Sequence, residues 1–206
     1  MNAETPRIPE SLLVPVLPLR DVCLFPEASL SVMVGRPASI KALELAARTG
    51  RRVLGLAQKD ANTPNPISLR DLQEFGTLAD LAEDRALSDG NHRVELDGVR
   101  RARVLSLFGA DTLVAEIELL EEGDPGDEWG AAVEALARYL HSHPELRSFL
   151  DQQRRSREAM SWVNLACQHL PIAATARQRL LESDAVARCL KISRGLDALL
   201  RKEKGD

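Results

Sequence analysis

Residues 13–40 read LVPVLPLRDVCLFPEASLSVMVGRPASI, and this stretch decides the fold. It opens on a short apolar strand, 13–19, interrupted by Pro15 and Pro18. A charged turn follows at Arg20 and Asp21, then an apolar patch from Val22 to Phe25 that Pro26 breaks. The run 29–34 alternates apolar and polar side chains, the period of a half-buried strand, and Gly35-Arg36-Pro37 leads into a helix. Proline has no N–H to give a ladder, so within sheets it is confined to edges, first residues and bulges. The stretch therefore predicts the rim of a small curved sheet rather than the centre of a flat one.

Working outward, Pro37 suits a first helical turn, where its missing N–H is not needed. Ile40, Leu43 and Ala47 recur at helical spacing and Gly50 stands where a C′ residue belongs, so a helix is expected over 37–49. VLGLA at 53–57 reads as a strand, and DANTPNPIS at 60–68 as a loop. A strand resumes at 75–79, while 80–88 has no clear period and Ser88-Asp89-Gly90 is a turn. His92 to Leu96 alternates into Asp97-Gly98, the strongest hairpin signal in the chain, with strands expected on the far side at 99–108 and 113–119. Strands joined by tight turns pair antiparallel.

The segment EEGDPGD at 121–127 marks a boundary, because the apolar period changes across it. Beyond it, Trp129, Val133, Leu136 and Leu140 share one helix face, and that helix stops before Pro144. Leu146, Phe149 and Leu150 carry a second helix, and Met160, Val163 and Leu170 a third that Pro171 ends. A fourth is expected over 173–182, with Ser183-Asp184 capping a last one through about Leu200. The expectation is an α+β chain: a mainly antiparallel, curved β-domain at 12–122, an α-helical bundle at 127–203 and a flexible N-terminus at 1–11.

The sequence also resembles the N-terminal domain of Lon proteases. The resemblance rests on PVLPLRDVCLFP and VGRPASI in the opening stretch, AQK at 57–59, FGTLA at 75–79, GVRRA at 98–102, HLP at 169–171 and RLLESDAVAR at 179–188. It runs over about residues 12–200, and it implies a PUA-like pseudo-barrel followed by helices, with substrate selection as the task. In Lon proteases this region is followed by an ATPase module and a Ser-Lys protease domain. This chain stops at Asp206 and so resembles a stand-alone copy of the substrate-binding domain.

Composition limits the alternatives. A net charge of −4 argues against a chain built mainly to hold nucleic acid, and 44% hydrophobic with 3% aromatic residues means an aliphatic core. No run is long and apolar enough for a membrane span, and no signal peptide opens the chain. Cys23, Cys167 and Cys189 form no C-x-x-C pair and sit among apolar residues, which reads as buried free thiols in a reducing, cytoplasmic setting.

Catalytic signatures fail one by one. Gly50 to Gly55 has the glycine spacing of a phosphate loop but lacks its Lys and hydroxyl residues, and it runs from helix to strand. His141 and His143 are two apart and lack further metal ligands, and His92 and His169 are isolated. No G-x-S-x-G and no isolated carboxylate pair is present. The reading is a non-enzymatic, cofactor-free, protein-binding module acting as adaptor or regulator on unfolded or partner polypeptides. A separate Lon-type protease is a candidate partner. Leu24 and Phe25, projecting from the rim beside Arg36, would be its polypeptide contact; burial in the core is the plainer fate for both. The alternative is a PUA-like RNA-binding surface, carried by Arg101 and Arg103 on one strand face, with Arg154, Arg155 and Arg157 as a second basic group. Without aromatic side chains interleaved among them, a solvated face paired with nearby acids is the plainer reading.

Overall fold

The structure, a computed structural model, describes residues 11–153, 159–203 and 205. The expected N-terminal tail lies outside these residues apart from Ser11, as do Arg154, Arg155 and Arg157. Six strands form in chain order: β1 (Ser11–Leu19), β2 (Ser29–Val34), β3 (Arg52–Ala57), β4 (Phe75–Ala86), β5 (His92–Phe108) and β6 (Val114–Leu119). Their order in the sheet is β2-β5-β4-β3-β1-β6, and a further β5–β6 pairing closes all but β2 into a five-membered ring. Every pairing is antiparallel except β1 with β3. Helix α1 (Pro37–Arg48) covers the sheet, and α2 (Glu128–His141), α3 (Pro144–Gln153), α4 (Ala159–His169), α5 (Ala174–Glu182) and α6 (Ala185–Glu203) build the helical half. The expected α+β architecture is the one observed.

Local chemistry explains the boundaries. Pro37 opens α1, and Gly50 takes φ +96° just beyond its end, as a C′ glycine should. Asp184 accepts a hydrogen bond from the Ala187 N–H at 2.7 Å, the side-chain cap expected for the last helix. The β1 prolines do not make it an outer strand; it lies between β3 and β6. Its two pairings are staggered: residues 11–15 pair with β6 and residues 16–19 with β3. Each half therefore has one open side, toward which a residue without an N–H can turn.

One expectation fails. Asp97-Gly98 is no hairpin turn but lies inside the 17-residue strand β5. Glycine is needed there for proximity: a Cβ on Gly98 would stand 2.1 Å from the Phe25 carbonyl oxygen. The turn into β5 is the one expected at Ser88-Asp89-Gly90, within residues 87–91, and β4 continues to Ala86 through the segment that showed no period. That half of β4 is exposed and polar, paired with β5 alone, and so carries no burial pattern to read.

Side chains from all five ring strands fill the ring, among them Val14, Leu54, Leu78, Val104 and Ile117. A second apolar layer, with Leu17, Leu24, Leu43 and Leu96, lies between α1 and the sheet. The third core belongs to the helices, yet Cys23, Phe25, Ala28 and Ala57 from the β half are part of it. The segment after β1 thus crosses into the helical half.

Candidate functional site

Leu24 and Phe25 do not project from a rim. They are 1% and 0% exposed, Leu24 in the layer under α1 and Phe25 in the helical core. Their backbone is fixed from both sides: the Thr77 hydroxyl donates to the Leu24 carbonyl at 2.5 Å, and the Phe25 N–H donates to the Gln168 side-chain oxygen at 3.0 Å. The expected apolar contact for a partner is therefore not made by these two side chains.

Arg101 is likewise not a surface residue. Alternation does put it on the same face of β5 as Arg103, but the helical half covers it, leaving 4% exposure. Its guanidinium donates to Glu122, to the carbonyls of Leu181 and Ser183, and to that of Glu121. Arg188, fully buried on α6, meets the same Glu122 carboxylate, donates to Asn164 and the Leu180 and Ser183 carbonyls, and stands 5.7 Å from the Phe25 ring centroid. Burial alone would raise the Glu122 pKa, but Arg188 and Arg101 more than reverse this and hold it below the ordinary carboxylate range. These residues clamp the two halves together. Arg103 remains in solvent and pairs with Glu118 at 2.7 Å.

Three of the four histidines have side-chain partners: His92 pairs with Asp84, His143 stacks on Tyr139, and His169 lies edge-on to Phe149, while His141 is exposed at the end of α2. No group of three or more potential metal ligands exists among the described residues. All three cysteines are free and buried, and burial pushes their pKa values up to about 11 for Cys23, about 12 for Cys167 and about 11 for Cys189.

Arg36 does sit at a cavity. As the residue before α1 it is held in extended backbone between β2 and the helix, and its guanidinium donates to the Gln58 side-chain oxygen at 2.8 Å. On one side lies a groove of about 500 Å³ between β2 and the end of β1, with Arg20, Val22, Leu30 and Val32 in its lining. On the other, a groove of about 490 Å³ runs to Pro66, Ile67 and Asp111. Pro18, Arg36 and Ser39 line both, so the two hollows adjoin. A third, mostly apolar hollow of about 460 Å³ opens between α5 and α6, around Leu170, Ile192 and Leu199.

The first groove mixes polar and apolar groups: Arg20, Ser31, Arg36 and Asn91 stand beside Val22, Leu30 and Val32, with Met33 at 60% exposure on its rim. No carboxylate lies within ion-pair distance of Arg20 or Arg36 among the described residues. Burial, and after it the neighbouring Arg20 charge, lowers the pKa of the Arg36 guanidinium below its ordinary value. The β2 sequence SLSVMV, lacking charge, glycine and proline, was the available signal for this groove.

The geometry is that of an α+β chain with a closed ring of strands and open grooves on either side of Arg36. Residues 13–196 match the family described as the ATP-dependent protease La (LON) substrate-binding domain, and the chain belongs to that family. Among curated proteins it is 33% identical to the Lon protease of Xanthomonas oryzae pv. oryzae over 91% of this chain and 23% of that protein. It is 31% identical to the Lon protease of Vibrio parahaemolyticus over 84% of this chain and 23% of that protein. It therefore spans about a quarter of the length of these relatives. The N-terminal domain of Mycobacterium avium complex Lon protease has the same fold, with a TM-score of 0.72 at 16% identity, covering 91% of this chain and 98% of that one. The Lon N-terminal domain protein of Xanthomonas campestris aligns with a TM-score of 0.62 at 22% identity, over 87% and 95% of the two chains.

Proposed function

We propose that this chain is a polypeptide-recognition module that performs no chemistry itself. It holds unfolded or partner protein segments in the groove beside β2 and acts as adaptor or regulator for a separate Lon-type protease. The observation that carries this reading is an open groove lined by Val22, Leu30 and Val32, in a chain of the LON substrate-binding family. Exposed apolar surface of this kind on a folded chain marks a place for a partner. Three unpaired thiols suit a reducing, cytoplasmic setting, and no cofactor is required.

The test is a titration of the purified chain against a fluorescent, permanently unfolded polypeptide, followed by anisotropy. Saturable binding is expected, weakened by Val32→Asp in the groove wall, with a short single-stranded RNA leaving the signal flat. ATP hydrolysis or peptide cleavage that co-purifies with the chain would overturn the proposal, as would failure to bind any unfolded polypeptide.

A further inference from the structure

The open edges of this sheet are not alike. The half-open sides of β1 carry Pro15 and Pro18, and the half of β4 paired only with β5 carries Glu83, Asp84 and Arg85. Prolines and charges are the usual means of keeping a foreign strand off an exposed edge. β2 pairs with β5 along its whole length and, among the described residues, with nothing on its other side. It has neither safeguard.

Its backbone is oriented for use. The Gly98 N–H donates to the Ala28 carbonyl at 2.9 Å, and antiparallel pairing alternates from that bond. Leu30, Val32 and Val34 therefore turn their N–H and C=O groups to β5, while Ser31 and Met33 turn theirs to the open side. Leu30 and Val32 also line the groove, so a strand arriving at this edge would find both hydrogen-bonding groups and an apolar floor. Arg20 and Arg36 line the same groove, with no carboxylate of this chain in reach among the described residues.

We propose that the β2 edge takes up an extended polypeptide segment as an added strand, hydrogen-bonded to Ser31 and Met33. Its alternate apolar side chains lie over Leu30 and Val32, and one carboxylate side chain sits between Arg20 and Arg36. This deepens the polypeptide-recognition reading and rests on it. Strand addition of this kind draws affinity from main-chain bonds and selects through alternate side chains. A second copy of β2 fits poorly, because SLSVMV has no carboxylate and would bring two further arginines to the groove. No aromatic side chain lines the groove to stack a base.

The test uses a short fluorescent peptide alternating Val and Thr with one central Glu, titrated against the full chain by anisotropy. Two N-methylated versions block one or the other set of alternate amides. One set is expected to lose more than about tenfold in affinity while the other binds like the parent, the signature of a strand bonded along one edge. Replacing the peptide Glu with Gln should weaken binding about fivefold. On the protein, Met33→Pro removes an N–H that β5 does not use and should abolish binding with the far-UV spectrum unchanged. Equal binding by both N-methylated peptides, or no loss on Glu→Gln, overturns the inference while polypeptide recognition stands. If the parent peptide fails to bind while an unfolded polypeptide binds, the edge is not the site. If neither binds, the proposed function falls with it. A dimer that Met33→Pro dissolves, with no peptide bound, assigns the edge to self-association instead and also overturns it.

Discussion

Glu122 is the residue on which the junction of the two halves turns. Its carboxylate is the shared acceptor for Arg101 and the fully buried Arg188, with Asn164 donating to it at 3.1 Å. Taking away one partner of a buried ion pair strands the other charge in low dielectric, at a cost of several kcal/mol. Glu122→Gln leaves two guanidiniums facing a neutral amide and is expected to cost about 3 kcal/mol in urea unfolding. The pH dependence follows from the lowered folded pKa. An unfolded Glu titrates near pH 4.3, so the increment is present above about that value and is lost as pH falls through the lower folded value. Glu122→Gln should remove that part of the acid sensitivity, which a series of melts across this range measures. At the same scale, Cys23, Cys167 and Cys189 are buried thiols with raised pKa values, so a thiol reagent near neutral pH should label the native chain only as it unfolds.

Among the elements, β5 teaches most. Its first part pairs with β2, its last part with β6, and between them Gly98 lets the Phe25–Ala28 segment approach. Gly98→Ala would drive a Cβ against the Phe25 carbonyl, and backbone cannot give way as a side-chain tip can. A loss of about 2–3 kcal/mol is expected from equilibrium unfolding. Gly50→Ala is the comparison: nothing lies within 4 Å of its Cβ position, but φ is +96°, so only the backbone strain of about 1–2 kcal/mol is expected. The same strand shows what could be read beforehand. β2 and α1 were legible because their period and bounding prolines or glycines act locally. Asp97-Gly98 misled because a glycine required by a carbonyl some seventy positions away looks, in sequence, like one required by a turn. Arg101 misled for a similar reason: the carbonyls of Leu181 and Ser183 that receive it come from a segment its own strand pattern cannot reveal.

For the molecule as a whole, the question is whether the β half and the helical half unfold together. Their contact is not a linker but a plug: Cys23, Phe25, Ala28 and Ala57 stand in the helical core. Gln178 reinforces it by accepting from the Cys23 thiol at 3.3 Å and donating to the Phe75 carbonyl at 3.1 Å. The ion pairs at Glu122 belong to the same junction, with the Arg188 guanidinium 5.7 Å from the Phe25 ring centroid. A junction that buries apolar and ionic groups from both partners makes each half costly to expose alone, so one cooperative transition is expected for the intact chain. Both tryptophans, Trp129 and Trp162, belong to the helical half and pack on its core, so their fluorescence reports that half. Far-UV signal reports strands and helices together. In the native sequence the two urea curves should superimpose. Phe25→Ala removes the largest side chain of the plug, should cost about 3–5 kcal/mol, and should move the two curves apart as the halves uncouple. Superimposed curves in Phe25→Ala would show that the polar clamp alone keeps the halves coupled, and separated curves in the native chain would show that the plug never did.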